Sequence, residues 1–253
     1  MRKRIGVVGD TVGLLDALKA SAEGRDLDVR AISGDVADDA AVVAVVAGES
    51  GGAAALDVAE AIGARQETLL ELLAQAIECR ESGTLDGPRR MRTIAMEFAD
   101  AVELDDDERL TLEKGIYVHD IGKMRLTNEV LLKKNLLTHD DWVSLRGHTT
   151  LGAEMVAGIP FLRDTEELVH RHHECFDGTG YPDGLEGDAI PKLGSLMKII
   201  DVYCSMTSPR HYRKTVGTRD EAVEYLQEEQ GKRFHPAYLQ AFLDHNVGAS
   251  GAE

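Results

Sequence analysis

Val118-His-Asp-Ile-Gly-Lys123 and His172-His-Glu-Cys-Phe-Asp-Gly-Thr-Gly-Tyr-Pro-Asp-Gly-Leu185 are the two stretches on which the reading of this chain turns. The first sets a histidine beside an aspartate in a helical context. Neighbouring side chains on a helix point about 100° apart, so His119 and Asp120 can enter one space from different sides. In the second, the tandem imidazoles of His172 and His173 end a polar helix. Asp177–Gly184 follows, too rich in Gly and Pro to be anything but an ordered turn system. His148 and Asp201 add another imidazole and another carboxylate from elsewhere in the region. These are the usual ligands of borderline and hard divalent metals. A carboxylate can bridge two cations, and Asp120 is the natural bridge. Two metals a few ångströms apart suit phosphodiester cleavage, because they activate a water, orient the phosphate and neutralise developing charge. A lone histidine is more often a surface or hydrogen-bonded residue, and His139, His170, His211, His235 and His245 are read that way.

Around these stretches the sequence is helical. From about residue 53 onward apolar residues recur with helical spacing: Leu69, Leu72, Leu73, Ala76 and Ile77 form one stripe, and Ile94, Phe98 and Ala101 continue the rhythm. Thr138-His-Asp-Asp before Trp142 and Thr218-Arg-Asp-Glu before Ala222 are helix-start signals. The first 50 residues differ. Arg4–Gly9, Leu27–Ile32 and the run Ala40–Ala47 read as strands, with an amphipathic helix over 11–22 between the first two. The expectation is a mainly α chain with three parts. A small α/β lobe with a partly parallel sheet occupies 1–50, a connecting helix 51–82, and an all-helical domain 83–247.

Composition narrows the function. With 253 residues, 43% of them apolar, the chain can build one large core and one small one. No apolar run reaches the roughly 20 residues that span a bilayer. Cys79, Cys175 and Cys204 are odd in number and form no CxxC pair, which reads as reduced thiols in packing roles and a cytoplasmic protein. A formal charge of -17 repels polyanions, so neither duplex nucleic acid nor a membrane is expected as a partner. A phosphodiester substrate then requires locally concentrated cations. Arg210, His211, Arg213 and Lys214 supply them, and Lys123 and Arg146 lie close in sequence to the metal-ligand candidates.

The same residues carry a resemblance. Val118–Lys123 resembles the HDxGK signature of the HD superfamily of metal-dependent phosphohydrolases, and His172–Leu185 resembles the HHExxDGxGYPxGL signature of its HD-GYP subgroup. Asp201-Val-Tyr-Cys-Ser-Met-Thr-Ser208 with Arg210-His-Tyr-Arg-Lys214 looks like that subgroup's DVYDALTS…RxYRK segment, and Gly231-Lys-Arg-Phe-His-Pro236 resembles its GxxFDP ending. The resemblance runs in order from about Glu78 to Leu243. It implies that Asp120 bridges two divalent transition-metal ions, iron or manganese, with His148, His172 and His173 on one and His119 and Asp201 on the other. It implies that Lys123, Arg210 and Arg213 meet substrate phosphates and that Gly180-Tyr181-Pro182 shapes the pocket. The implied activity is hydrolysis of cyclic di-GMP to linear pGpG or GMP by a metal-activated water. Asp120 and Lys123 are the residues at the chemistry.

The sequence also departs from the pattern. Family members place a further histidine on the helix before the HD pair, and a carboxylate four residues upstream of it. Those positions are Gly87 and Gly83 here, and no histidine precedes His119. The site around His119 and Asp201 is therefore expected to lack one ligand, with Asp86 or Glu81 as substitutes. The amino-terminal lobe is read as a truncated receiver that cannot be phosphorylated, with only Asp10 after its first strand, and as a surface for homodimerisation or partner docking. These departures motivate a second reading, a degenerate HD-GYP protein that binds cyclic di-GMP or a diguanylate cyclase (GGDEF) partner without turnover. Hydrolysis of another cyclic dinucleotide is a third.

Overall fold

The computed structural model describes residues 4–9, 27–32, 41–47, 66–78, 87–133, 135–208 and 216–249. Contacts divide the chain into two compact units, Met1–Leu69 with Ile159–Phe161, and the remainder from Leu70.

In the first unit three strands are described, β1 (Arg4–Gly9), β2 (Leu27–Ile32) and β3 (Ala41–Ala47). The sheet order is β1-β3-β2, and β3 pairs antiparallel with both neighbours, Val7 opposite Val43 and Val29 opposite Val45. The ladder is therefore not the partly parallel one expected. A parallel crossover takes about a dozen residues or more, and only residues 33–40 separate β2 from β3, so adjacent pairing of those two strands has to be antiparallel. The helix expected over 11–22, and with it the receiver-like reading, lies outside the described residues.

The second unit is helical, and its site is positioned by the helix ends. A helix over 66–78 (α1) precedes α2 (Gly87–Ala101), α3 (Asp106–Val118), the short α4 (Asn128–Leu131), α5 (His139–Arg146), α6 (His148–Ala157), α7 (Glu166–Arg171), α8 (Lys192–Thr207), α9 (Arg219–Glu228) and α10 (Pro236–Asp244). A 3-10 segment, Ile121–Arg125, follows α3. Local chemistry fixes several starts. Asp105, Thr138 and Thr218 each accept a hydrogen bond from the backbone N–H three residues on, and the carboxylates of Glu108, Asp141 and Glu221 accept one from the cap's own N–H. These reciprocal caps satisfy two otherwise orphaned donors per helix, and two of them are the starts expected from the sequence.

The core lies where α2, α3, α8 and α10 meet. Met91, Ile94, Ala95, Phe98 and Ala99 of α2 are buried at helical spacing, with Leu112 and Ile116 of α3 and Leu196, Ile199, Ile200 and Tyr203 of α8. Phe242 sits edge-on to both Phe98 and Tyr203, at ring-centroid distances of 5.1 and 5.2 Å. Tyr203 keeps its hydroxyl satisfied in the core by donating to the Gly248 carbonyl at 3.1 Å. Burying each such large side chain contributes roughly 1.5–3 kcal/mol, and this anchors α8 and so Asp201 upon it.

One stripe differs from expectation. In α1 the buried residues are Leu70, Ala74 and Ile77, whereas Leu69 and Leu72 are 65% and 57% exposed. Leucines occur all round this helix, so periodicity alone cannot select the face. The partner surface selects it: Ala74 and Ile77 line a cavity with Met91 of α2 and Ile116 of α3.

Candidate metal centre

Three imidazoles are positioned by one local device. His119 caps the end of α3, His172 caps the end of α7, and His148 follows the last turn of α5. Helix ends leave backbone carbonyls without intrahelical partners. Each Nδ1 takes one, the carbonyl three residues back: Ile116 at 2.9 Å, Leu145 at 2.6 Å and Val169 at 2.8 Å. A carbonyl oxygen only accepts, so Nδ1 carries a proton, and in the neutral rings of His148 and His172 Nε2 is left with a bare lone pair.

Those lone pairs point at a carboxylate. His119 Nε2 lies 3.3 Å from Asp120 Oδ2; His148 Nε2 and His172 Nε2 lie 3.3 and 3.9 Å from Asp120 Oδ1. Neither a bare imidazole nitrogen nor a carboxylate oxygen has a proton to donate. His148 Nε2, His172 Nε2 and Asp120 Oδ1 are buried and without a hydrogen-bond partner among the described residues. Acceptors that face one another in a buried space are unfavourable unless something positive lies between them. With His173, these donors all fall within 4.8 Å of one another. Ligand bonds of about 2.0–2.2 Å put opposing donors some 4–4.4 Å apart, so the spacing fits a single divalent cation.

The electrostatics agree. Burial is the largest influence on His172 and His173 and pushes both pKa values well below the ordinary imidazole range, so both stay neutral, as ligands must be. Burial also lowers His148. For His119, burial works against the charged form, but the adjacent Asp120 carboxylate outweighs it and raises the pKa. Asp120 is itself held well below the usual carboxylate range: burial opposes ionisation, and Lys123, His119 and His148 together overcome it. The Lys123 ammonium stands 2.7 Å from Asp120 Oδ2.

A glycine brings two of these elements together. A Cβ on Gly122 would overlap the His148 carbonyl oxygen and lie 2.6 Å from the Gly152 backbone nitrogen. The 3-10 segment after His119-Asp120 thus lies directly against the first turns of α6, which carries His148. The Gly–Pro loop is held as tightly. A Cβ on Gly180 would lie 2.6 Å from the Glu174 carbonyl carbon. Glu174 is 1% exposed and accepts the N–H groups of Asp183 at 2.8 Å and Leu185 at 3.2 Å. The Tyr181–Pro182 bond is cis, and the Tyr181 ring stacks on His173 at 4.9 Å between centroids. The Arg146 guanidinium lies over Tyr181 at 5.1 Å and over Trp142 at 5.9 Å.

Of the residues named from sequence, Asp120, His148, His172 and His173 converge, with the Gly180-Tyr181-Pro182 loop beside them. His119 and Asp201 line an adjoining cavity together with Asp120 and Glu78. Arg210, Arg213, Gly83, Glu81 and Asp86 lie outside the described residues. Sequence reading missed Glu78 and the loop-holding role of Glu174. Glu78 did carry a signal: a carboxylate one residue after Ile77, at the edge of an otherwise apolar helix face.

A family model described as HD domain matches residues 71–238. The cyclic di-GMP phosphodiesterase response regulator RpfG of Xanthomonas campestris is 36% identical over 181 residues, 71% of this chain and 48% of that protein. A Vibrio cholerae cyclic di-GMP phosphodiesterase is 38% identical over 139 residues, 52% of this chain and 28% of that protein. The chain thus spans about half, or less, of the length of these relatives. Among solved structures, a cyclic GMP-AMP-specific phosphodiesterase of Vibrio cholerae superposes with a TM-score of 0.58 at 16% identity, covering 74% of this chain and 50% of that one. That likeness establishes the helical fold.

Proposed function

The chain belongs to the HD domain family, and we propose that it is a metal-dependent phosphodiesterase of the HD-GYP type that opens cyclic di-GMP to linear pGpG or GMP. The observation that carries this reading is the buried convergence of bare imidazole nitrogens on Asp120, which only a cation or protons can reconcile. Asp120, His148, His172 and His173 would hold the ion. A divalent cation there supplies Lewis acidity and a water activated for attack on phosphorus.

The protein's own groups do the rest. Lys123 fixes the orientation of Asp120 and puts positive charge where phosphate oxygens become more negative. Arg146, held over Tyr181, adds a cation to the rim, which a chain of charge -17 needs in order to attract a dianionic substrate. Arg210 and Arg213 are assigned the same task by their place in the sequence. Tyr181, stacked on His173, closes the side of the site and offers an aromatic face to a base. The relatives' names support a cyclic dinucleotide; the choice of cyclic di-GMP follows the two relatives described above, which are named for it. Diguanylate cyclases of the GGDEF type, which make that substrate, are the partner class the reading carries.

The test is hydrolysis by the purified full chain loaded with Mn2+ or Fe2+, offered cyclic di-GMP and 3'3'-cGAMP separately and followed by chromatography. The expected outcome is release of pGpG or GMP from cyclic di-GMP, with 3'3'-cGAMP cleaved more slowly. Faster cleavage of 3'3'-cGAMP would reassign the substrate. Binding of cyclic di-GMP by metal-loaded protein without product would replace the enzyme by the non-hydrolysing binder.

A further inference from the structure

Resting on the phosphodiesterase reading, we propose that Arg146 recognises a guanine of the substrate, its guanidinium fork meeting O6 and N7 of the base, with Trp142 and Tyr181 as the aromatic faces that hold the fork in place. The cation and the two rings continue a row that starts at the metal centre. Tyr181 stacks on the His173 imidazole at 4.9 Å between centroids and 27° between planes. The Arg146 guanidinium lies 5.1 Å from the centre of the Tyr181 ring and 5.9 Å from that of Trp142. Tyr181 alone therefore separates the guanidinium from a candidate metal ligand.

What sets Arg146 apart is the lack of an anion beside it. Arg92, Arg109, Arg125 and Arg171 pair with the carboxylates of Glu113, Asp100, Glu154 and Asp183. The Arg146 guanidinium makes no ion pair or hydrogen bond among the described residues, in a chain whose 45 acidic residues outnumber its 28 basic ones. The acids of its own helix, Asp140 and Asp141, stand in the first turn of α5, whereas Arg146 closes the last. Asp141 is taken by the Thr138 N–H and by Lys133. A surface cation–π pair needs only one ring, but Arg146 meets two from different elements: Trp142, one turn back on α5 and 47% exposed, and Tyr181 in the Gly–Pro loop. Its N–H donors remain for a ligand.

Guanidinium chemistry selects the base. Arginine stacks on aromatic faces through its plane, and its donors project from the edge in a fixed fork. Guanine offers that fork two acceptors, O6 and N7, whereas adenine keeps N7 and places an amino donor where O6 would be. Adenine would thus set donor against donor, and a donor left unpaired on binding is what makes a site reject the wrong ligand. A cyclic dinucleotide whose phosphate meets the ion carries each base one ribose away, and the row leaves the metal centre on that scale. Arg146 therefore contributes more than charge to the rim. It distinguishes cyclic di-GMP from cyclic dinucleotides that carry adenine.

The probes are the phosphorothioate analogues of cyclic di-GMP and cyclic di-AMP, which resist cleavage, titrated by calorimetry into the full chain loaded with Mn2+. Trp142 is the chain's single tryptophan, so its fluorescence reports on this place alone. The intact chain should bind the guanine analogue at least about tenfold more tightly than the adenine analogue, with a change in Trp142 emission at saturation. In Arg146→Gln and Arg146→Ala that preference should fall below about threefold. Lost charge or looser packing weakens both analogues alike and leaves their ratio as it was, so the ratio separates base recognition from either. Circular dichroism of each variant confirms the fold. An unchanged ratio in both variants would overturn the inference. So would equal affinities in the intact chain, or Trp142 emission indifferent to the guanine analogue; hydrolysis of cyclic di-GMP would then leave the phosphodiesterase reading standing. Binding of neither analogue by the folded, metal-loaded chain would overturn both.

Discussion

Replacing Asp120 by Asn is expected to lower turnover of a cyclic dinucleotide by about a thousandfold or more, with little change in the fold of the metal-free protein. The substitution keeps the shape of the side chain and removes its charge. Asp120 is the one carboxylate among the four converging donors, and its Oδ1 faces the bare Nε2 atoms of His148 and His172 at 3.3 and 3.9 Å. An amide in its place turns an NH2 group toward one of those lone pairs. That satisfies the imidazole by a hydrogen bond and takes it from the ion. Losing about 4 kcal/mol of transition-state charge stabilisation corresponds to the stated factor. A second readout isolates binding from chemistry. Mn2+ held at about 100 times its dissociation constant stabilises the folded state by about 2.7 kcal/mol, an upward melting shift of about 5–10 °C in a domain of this size. The Asn variant should show almost none of that shift. Retention of the full shift with lost turnover would mean that the ion is held without Asp120.

Gly122→Ala is expected to damage both stability and metal affinity, although the change is one methyl group remote from any ligand atom. The new Cβ would overlap the His148 carbonyl oxygen and lie 2.6 Å from the Gly152 nitrogen. Both are backbone atoms, so no rotamer change relieves the overlap. The 3-10 segment and α6 must separate, and with them Asp120 and His148. Overpacking of this kind costs about 3 kcal/mol, a fall in melting temperature of roughly 6–12 °C, and Mn2+ binding should weaken in parallel. Gly158→Ala at the end of α6 is the control. Its backbone is right-handed helical, its nearest outside neighbour would be the Met155 carbonyl oxygen at 3.7 Å, and its effect should stay within about 0.5 kcal/mol. Equal melting temperatures for the two variants would contradict the packing account.

What was legible in the sequence was what short-range chemistry decides. The starts of α5 and α9 were readable at Thr138 and Thr218 because a capping box is closed within four residues. Asp120, His148, His172 and His173, which converge, were named from the sequence because they stand in the stretches that resemble the HDxGK and HHExxDGxGYPxGL signatures or add an imidazole beside them. The Nδ1 proton of His119, His148 and His172 follows from another local fact, the orphaned carbonyl at each helix end. The buried face of α1 was not legible, since Leu69, Leu70, Leu72 and Leu73 offer almost equal stripes and only the surface of α2 and α3 chooses among them. The role of Gly122 is likewise a tertiary contact: its glycine is written in the motif, but the His148 carbonyl that demands it is visible only in three dimensions. The direction of the β2–β3 pairing depended on connection length more than on strand composition.

Crystals of the full chain grown with Mn2+, measured at the manganese absorption edge, test the central claim directly. The expected result is an anomalous peak about 2.0–2.4 Å from an Asp120 carboxylate oxygen, from Nε2 of His148 and His172, and from a ring nitrogen of His173. A map with no peak among these four side chains, their nitrogens instead hydrogen-bonded to water or to one another, would contradict it.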